Sequence, residues 1–290
     1  MLRLATYNVQ NLFTDAAGTL DRSAVSLKAL LRMLELLDAD VVALQEVGGA
    51  TALNRLNEGL KTPYPFAYCG EGNSRRNIQL AYLSRWPLTL HSHRTLPLTD
   101  PEGAALSDYP DALAATRRQL QPLRFQRDIL RADLVTETGA ELCLLNVHLK
   151  SRAEALWRQL SSDTIRAAEI RALARVATTC AASVPTALLG DFNDSWTSDP
   201  MAPLRALRWI DVMQWEVARS RGARARSPGT YWKKRHARLD FVHVSPQLHA
   251  HLVPGSARTH SGALGQRASD HYPVSVDLQL SPIDRSGPAG

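Results

Sequence analysis

The chain has 290 residues, 44% hydrophobic and 21% charged, with 34 Lys and Arg against 28 Asp and Glu and a net charge of +6 at pH 7. That apolar content is enough for a substantial buried core, and the positive balance favours polyanionic partners without identifying one. No run approaches the roughly 18 uninterrupted apolar residues of a membrane helix, which excludes a spanning segment. Cys69, Cys143 and Cys180 are too scattered for a thiolate zinc site and read as small buried hydrophobes.

In chain order, residues 2–9 form an apolar strand entered directly from the N-terminus. There is no basic flank and apolar run of a signal peptide, so the chain as it stands reads as cytoplasmic. Leu27, Leu30, Leu31 and Leu34, at helical spacing behind the capping candidate Asp21, predict a helix over Ala24–Leu37. Strands are predicted at 41–44, 78–83, 142–149, 186–189, 239–244 and 272–280, and a second, Ala- and Arg-rich helix at 156–182. Both helices read as an outer layer over a sheet-dominated α/β core. The poorly periodic segments 95–126 and 216–229 read as surface insertions. Residues 1–280 read as a single domain that is monomeric by default, with 281–290 as a frayed tail.

Chemistry is signalled by polar groups where apolar strands end. Asn8 closes the first strand, and Glu46 follows Val41-Val42-Ala43-Leu44-Gln45. Asn146 and His148 stand two apart in Leu145-Asn146-Val147-His148-Leu149, so a strand aims both at one face. Asp191 and Asn193 repeat that step in Gly190-Asp191-Phe192-Asn193. Asp240 lies between Leu239 and Phe241, and Ser269-Asp270-His271 introduces the last strand. Singly, an Asp or Asn at a strand end is usually a turn former. An acid among Leu239, Phe241 and Val242 is different, because it is expected to be partly buried and would then need a partner. Glu46, Asp270, Asn8 and Asp191 offer the oxygen donors a hard cation prefers, which points to Mg2+ or Mn2+ and to hydrolysis of a phosphate ester by activated water. The sequence has no G-x-S-x-G elbow, Walker A motif or G-x-G-x-x-G loop.

Taken together, Tyr7-Asn8, Gln45-Glu46, Asn146-Val147-His148-Leu149, Gly190-Asp191-Phe192-Asn193, Leu239-Asp240 and Ser269-Asp270-His271 resemble, in order and spacing, the motifs of the endonuclease/exonuclease/phosphatase superfamily. The look is nearest that of its bacterial nuclease-like members. The resemblance implies a DNase I-like four-layer α/β/β/α sandwich, two mixed β-sheets packed face to face and flanked by helices. It further implies that Glu46 is the principal metal ligand with Asn8 and Asp270 near the ion, and that Asp191, held by Asn193, orients or deprotonates water. His271 with Asp240, and His148 with Asn146, would grip the phosphate. Gln10 stands where an acid is often found, which puts a metal contribution from that position in doubt.

Substrate is less determined. Residues 219–238 hold eight Lys/Arg and no acid, with Tyr231 and Trp232 ahead of Lys233, Lys234 and Arg235, a composition suited to phosphate contact and base stacking. Arg127 and Arg131, in Phe125-Gln126-Arg127-Asp128-Ile129-Leu130-Arg131, are further phosphate-binding candidates, each with an Asp as an equally good partner. The setting of His148 is unlike that of abasic-site repair enzymes. The leading expectation is a nuclease on DNA or RNA. A phosphatase or phosphodiesterase for phosphoinositides, sugar phosphates or phospholipids is the alternative, and an inactive binding scaffold is a third reading.

Overall fold

The computed structural model describes residues 1–107, 122–153, 160–220, 228–233 and 237–280. Among them, twelve strands form two six-stranded mixed sheets. The first contains β1 (Leu2–Leu12), β2 (Val41–Val47), β3 (Phe66–Cys69), β4 (Gln79–Ser84), β11 (Arg258–Thr259) and β12 (Val274–Leu278), in the order β11-β12-β1-β2-β4-β3. The second contains β5 (Leu88–Ser92), β6 (Ile129–Val135), β7 (Glu141–His148), β8 (Thr186–Asp191), β9 (Ile210–Asp211) and β10 (Asp240–Val244), in the order β5-β6-β7-β8-β10-β9. Each sheet has one parallel pair at its centre, β1 with β2 and β7 with β8, joined through a helix on the outer face.

Three apolar clusters account for the four layers. Leu4, Ala43, Leu80, Val274 and Val276 meet Leu144, Ala187, Leu189, Val242 and Val244 between the sheets. On the outer face of the first sheet, Ala5, Tyr7, Val42 and Leu44 pack under α1 (Ala24–Leu37) and α2 (Ala50–Glu58). On the outer face of the second, Cys143, Leu145, Val147 and Leu188 pack under α3 (Ser162–Ala181). Strand alternation therefore sends successive residues to two different cores, which is why these strands are apolar on both faces. The fold is the DNase I-like α/β/β/α sandwich. Polar side chains also stitch the two sheets together across the inter-sheet core. Asn146 Nδ2 on β7 donates to Leu44 O at 3.0 Å and Ala81 O at 3.1 Å, and Tyr82 Oη on β4 donates to Leu130 O at 2.9 Å in the opposite direction.

Several predicted elements shift. The helix expected from 156 starts at Ser162, where the Ser161 hydroxyl accepts from Thr164 N–H and fixes the N-cap; residues 154–159 lie outside the described ones. Val212–Arg219 is a helix, α5, capped by Asp211, so the insertion expected from 216 begins later; a short helix α4 (Ala202–Ala206) precedes it and α6 (Ala263–Ala268) follows. The segment 95–126 is not wholly superficial, since Leu98 and Phe125 are buried against α3 and β7; residues 108–121 lie outside the described ones. No helix among the described residues is long and apolar enough to cross a membrane.

Candidate active site

The site forms where the inter-sheet faces of both sheets run out of apolar residues. Along β1 that face reads Leu4, Thr6, Asn8; along β7, Leu144, Asn146, His148; along β8, Ala187, Leu189, Asp191; and along β10, read backwards, Val244, Val242, Asp240. Register then aligns the ends. His148 pairs with Asp191 across β7 and β8, and Asp191 pairs with Asp240 across β8 and β10, so three adjacent strands present an imidazole and two carboxylates side by side. Gly190 makes the close approach possible. Its φ is +144°, and a Cβ there would stand 2.0 Å from Val147 O.

Glu46 arrives by a different device. Gln45 pairs with Leu80 and Val47 with Gln79, which leaves Glu46 as the extra residue of a β-bulge, with φ of +65°. The pairing of β1 with β2 shifts at the same place, between Asn8 and Leu12, and Gln10 and Asn11 there also have positive φ. With Asn77 and Asn193, five of the seven non-glycine residues of positive φ among the described residues border this site. Local backbone strain concentrated in one place is typical of a functional centre.

The polar groups converge closely. Asn8 Nδ2 donates to Asp191 Oδ2 at 3.0 Å and to Glu46 Oε1 at 3.2 Å. Asn11 N–H donates to Glu46 Oε2 at 2.8 Å. Asn193 N–H donates to Asp191 Oδ1 at 2.8 Å, and its side-chain amide to Leu149 O at 3.0 Å. His148 Nε2 is 3.5 Å from Asp191 Oδ2 and 3.9 Å from Glu46 Oε1. His271 Nε2 is 3.7 Å from Asp191 Oδ2, while its Nδ1 meets Asp240 Oδ2 at 2.7 Å. The partner that buried Asp240 requires is therefore His271, and Thr230 Oγ1 accepts the Asp240 N–H at 3.0 Å.

Charge is distributed unequally. Burial raises Asp191 to about 7. Burial opposes a charge on His271, but Asp240 and Asp191 outweigh it and lift the imidazole to about 10. His148 is held well below an ordinary histidine, first by burial and then by Arg127 and His271, so it faces the carboxylates as a neutral ring. The arrangement thus brings together a carboxylate poised near neutrality, a cationic imidazole and a neutral one, all buried. Glu46 beside them has a fifth of its side chain exposed.

Not every expected residue joins this cluster. Asn146 spends its amide on Leu44 O, Ala81 O and Gln45 Nε2, beneath the site rather than in it. Asn8 meets the carboxylates as a donor, because its Oδ1 accepts from Gln10 N–H at 3.0 Å; an oxygen-ligand role would require the amide to turn over and give up that bond. The Asp270 carboxylate lies 3.7 Å from Lys233 Nζ, and its N–H reaches Gln10 Oε1 at 3.2 Å. Arg127 is buried nearby and donates to Leu149 O at 3.2 Å. Arg131 is not at the site: it forms a two-point pair with Asp133 at 2.7 and 2.8 Å on the opposite side of its sheet from the inter-sheet core. The Tyr231 ring lies 4.9 Å from that of His271, and Trp232 Nε1 donates to Ser269 O at 2.8 Å. Lys234 and Arg235 lie outside the described residues. Sequence reading missed Asp194, a buried acid gripped by Arg166 at 2.8 Å and Arg152, which anchors the loop after Asn193.

Fold and family together indicate a hydrolase of the nuclease and phosphatase class. The model of the Endonuclease/Exonuclease/phosphatase family matches residues 5–271, and the chain belongs to that family. No curated protein sequence matches it. Among solved structures, it is similar to an endonuclease/exonuclease/phosphatase from Beutenbergia cavernae, 19% identical, with 97% of this chain and 72% of that one covered and a TM-score of 0.62. It is also similar to the human Nocturnin catalytic domain with bound sulfate, at 16% identity, 97% and 94% coverage and a TM-score of 0.58. A third likeness is to the 3′ phosphatase NExo from Neisseria bound to product DNA hairpin, at 17% identity, 97% and 100% coverage and a TM-score of 0.55.

Proposed function

We propose that the protein is a divalent-metal-dependent phosphodiesterase acting on DNA or RNA, with Asp191 and His271 as its central pair. The observation that carries the reading is the Asp240–His271–Asp191 line, with Glu46 beside it on a strained bulge. Enzymes of this family generally use divalent metals, and the donor set fits a hard cation. Glu46 and Asp191 converge on one amide, and one ligand atom each of Asp191, Asp240 and His271 lies within 4.8 Å of the others, with no thiol among them. Glu46 would hold Mg2+ or Mn2+, with Asp270 and a reoriented Asn8 close by. The ion would neutralise phosphate oxygens.

The chain's own residues do the rest. Asp191, raised to about 7 and fixed by Asn193 and Asn8, accepts a proton from the attacking water near neutral pH. His271, kept charged by Asp240, donates to the phosphate as charge develops on it. His148 adds a neutral N–H from the opposite wall. Asn193 ties the end of β8, which carries Asp191, to Leu149 next to His148, so these two neighbouring strand ends are held in register.

Nucleic acid is favoured because Tyr231, Trp232 and Lys233 are attached directly to the Ser269-Asp270-His271 segment rather than swinging free of it. One observation favours the second reading, a small phosphate ester: Lys233 already faces Asp270, so part of the basic loop's charge is spent internally. Purified protein with Mg2+ or Mn2+, offered plasmid, single-stranded DNA, RNA and a panel of phosphomonoesters, distinguishes them. Nucleic-acid turnover well above that of any monoester is expected. Intact nucleic acids alongside rapid monoester turnover would move the assignment to a phosphatase.

A further inference from the structure

A pair of buried thiols lies on the far side of β7 from the inter-sheet core. Cys143 of β7 and Cys180 near the end of α3 belong to the same apolar cluster. The chain returns from the helix so tightly that Cys180 O accepts the N–H groups of Ser183 and Val184, and Pro185 O accepts that of Cys143. That return brings together two thiols 37 positions apart in sequence, whose side chains hydrogen-bond each other. Cys180 also forms part of the wall of a cavity of about 320 Å³ between α3 and the segment around His93 to Thr99. The cavity opens to solvent past the exposed Arg175 and Thr179 and is bordered by Arg131, whose charge is partly countered by Asp133. The third thiol, Cys69, is more exposed than either; it hydrogen-bonds Gly70 O and receives a backbone hydrogen bond from Gly49.

We infer that Cys180 is an oxidant-reactive thiol that a hydroperoxide reaches through this cavity, and that Cys143 resolves it to a disulfide. Cys143 and then Arg131 pull Cys180 below an ordinary thiol against the effect of burial, the same hydrogen bond together with burial pushes the Cys143 thiol up, and burial pushes Cys69 up to about 11. The Cys180 sulfur attacks one peroxide oxygen; the O–O bond breaks, an S–O bond forms, and the departing oxygen takes up a proton as water or alcohol. The Cys143 sulfur then displaces the hydroxyl from Cys180, its own proton leaving with that hydroxyl as water. The pair loses two electrons and the peroxide gains them.

Hydrogen peroxide treatment of the full chain, with timed alkylation and peptide mapping without reduction, tests this. The expected result is a Cys143–Cys180 linked peptide, lighter by two hydrogens, reversed by dithiothreitol and formed about tenfold or more faster than any Cys69 adduct. Cys143→Ala should abolish the link and let a dimedone adduct accumulate at Cys180, while the wild-type map stands whether or not that variant folds. Reaction first at Cys69, the order that exposure alone predicts, would overturn the inference, as would sulfonic acid at Cys180 with no linked peptide.

Discussion

His271 Nδ1 lies 2.7 Å from Asp240 Oδ2, so a histidine just ahead of β12 in one sheet takes its charge from a carboxylate on β10 of the other. The active centre is assembled by packing the sheets together, and neither sheet contains it alone. The first prediction concerns this pair. Asp240→Asn should lower kcat/KM about a hundredfold or more and move the alkaline fall in activity to lower pH, because His271 no longer stays protonated to about 10. A raised histidine stabilises the fold fully below about pH 6.5, and that contribution is lost as pH rises through about 10. A pH–rate profile unchanged in Asp240→Asn would contradict the role.

Asn146 separates a structural from a catalytic reading. Its three hydrogen bonds tie β7 to β2 and β4, so Asn146→Ala should cost about 1–3 kcal/mol in urea unfolding and leave kcat near that of the wild type. Full stability with lost activity would return Asn146 to the chemistry.

His243 governs acid stability. Burial against Trp196, whose ring lies 4.1 Å away, lowers it to about 4, and neither ring nitrogen has a hydrogen-bond partner. The unfolded chain binds the proton first, so stability should fall as pH drops from about 6.5 to 4. His243→Phe should make the fall in unfolding free energy over that window shallower, by about 3 kcal/mol. An unaltered slope would assign acid sensitivity to His93 and His260, which burial lowers in the same way.

The basic loop should act on binding and not on chemistry. Lys233, Lys234 and Arg235 changed together to Ala should weaken nucleic-acid binding and flatten its salt dependence while leaving small-ester hydrolysis nearly unchanged. An unchanged salt slope would remove the loop from substrate recognition.

Much of this centre was legible in the sequence because strand alternation is strict. Asn146 with His148, and the placing of Asp191 at the end of an apolar run and of Asp240 at the head of one, follow from a period of two. The pairing of Asp240 with His271 is different, because residues 31 apart meet only through the register of two sheets. Glu46 was identifiable as a polar residue after a strand, but the bulge that aims it depends on β1 and β4 together. Period-two reading gives the face of Asn146 and not its depth: two residues back from the strand end it is already in the core. The strand alternation of Arg131 turns it away from the inter-sheet face. The short edge strands and α5 carry too little periodic signal to be distinguished from loop.

The most direct test is hydrolysis of a phosphodiester by wild type and Glu46→Ala side by side, with Mg2+ or Mn2+ and with EDTA. Activity in the wild type with metal, lost with EDTA and reduced by several orders of magnitude in Glu46→Ala, is the predicted result. Equal activity in both proteins, or activity indifferent to EDTA, would contradict a metal-dependent phosphoesterase centred on Glu46 and Asp191.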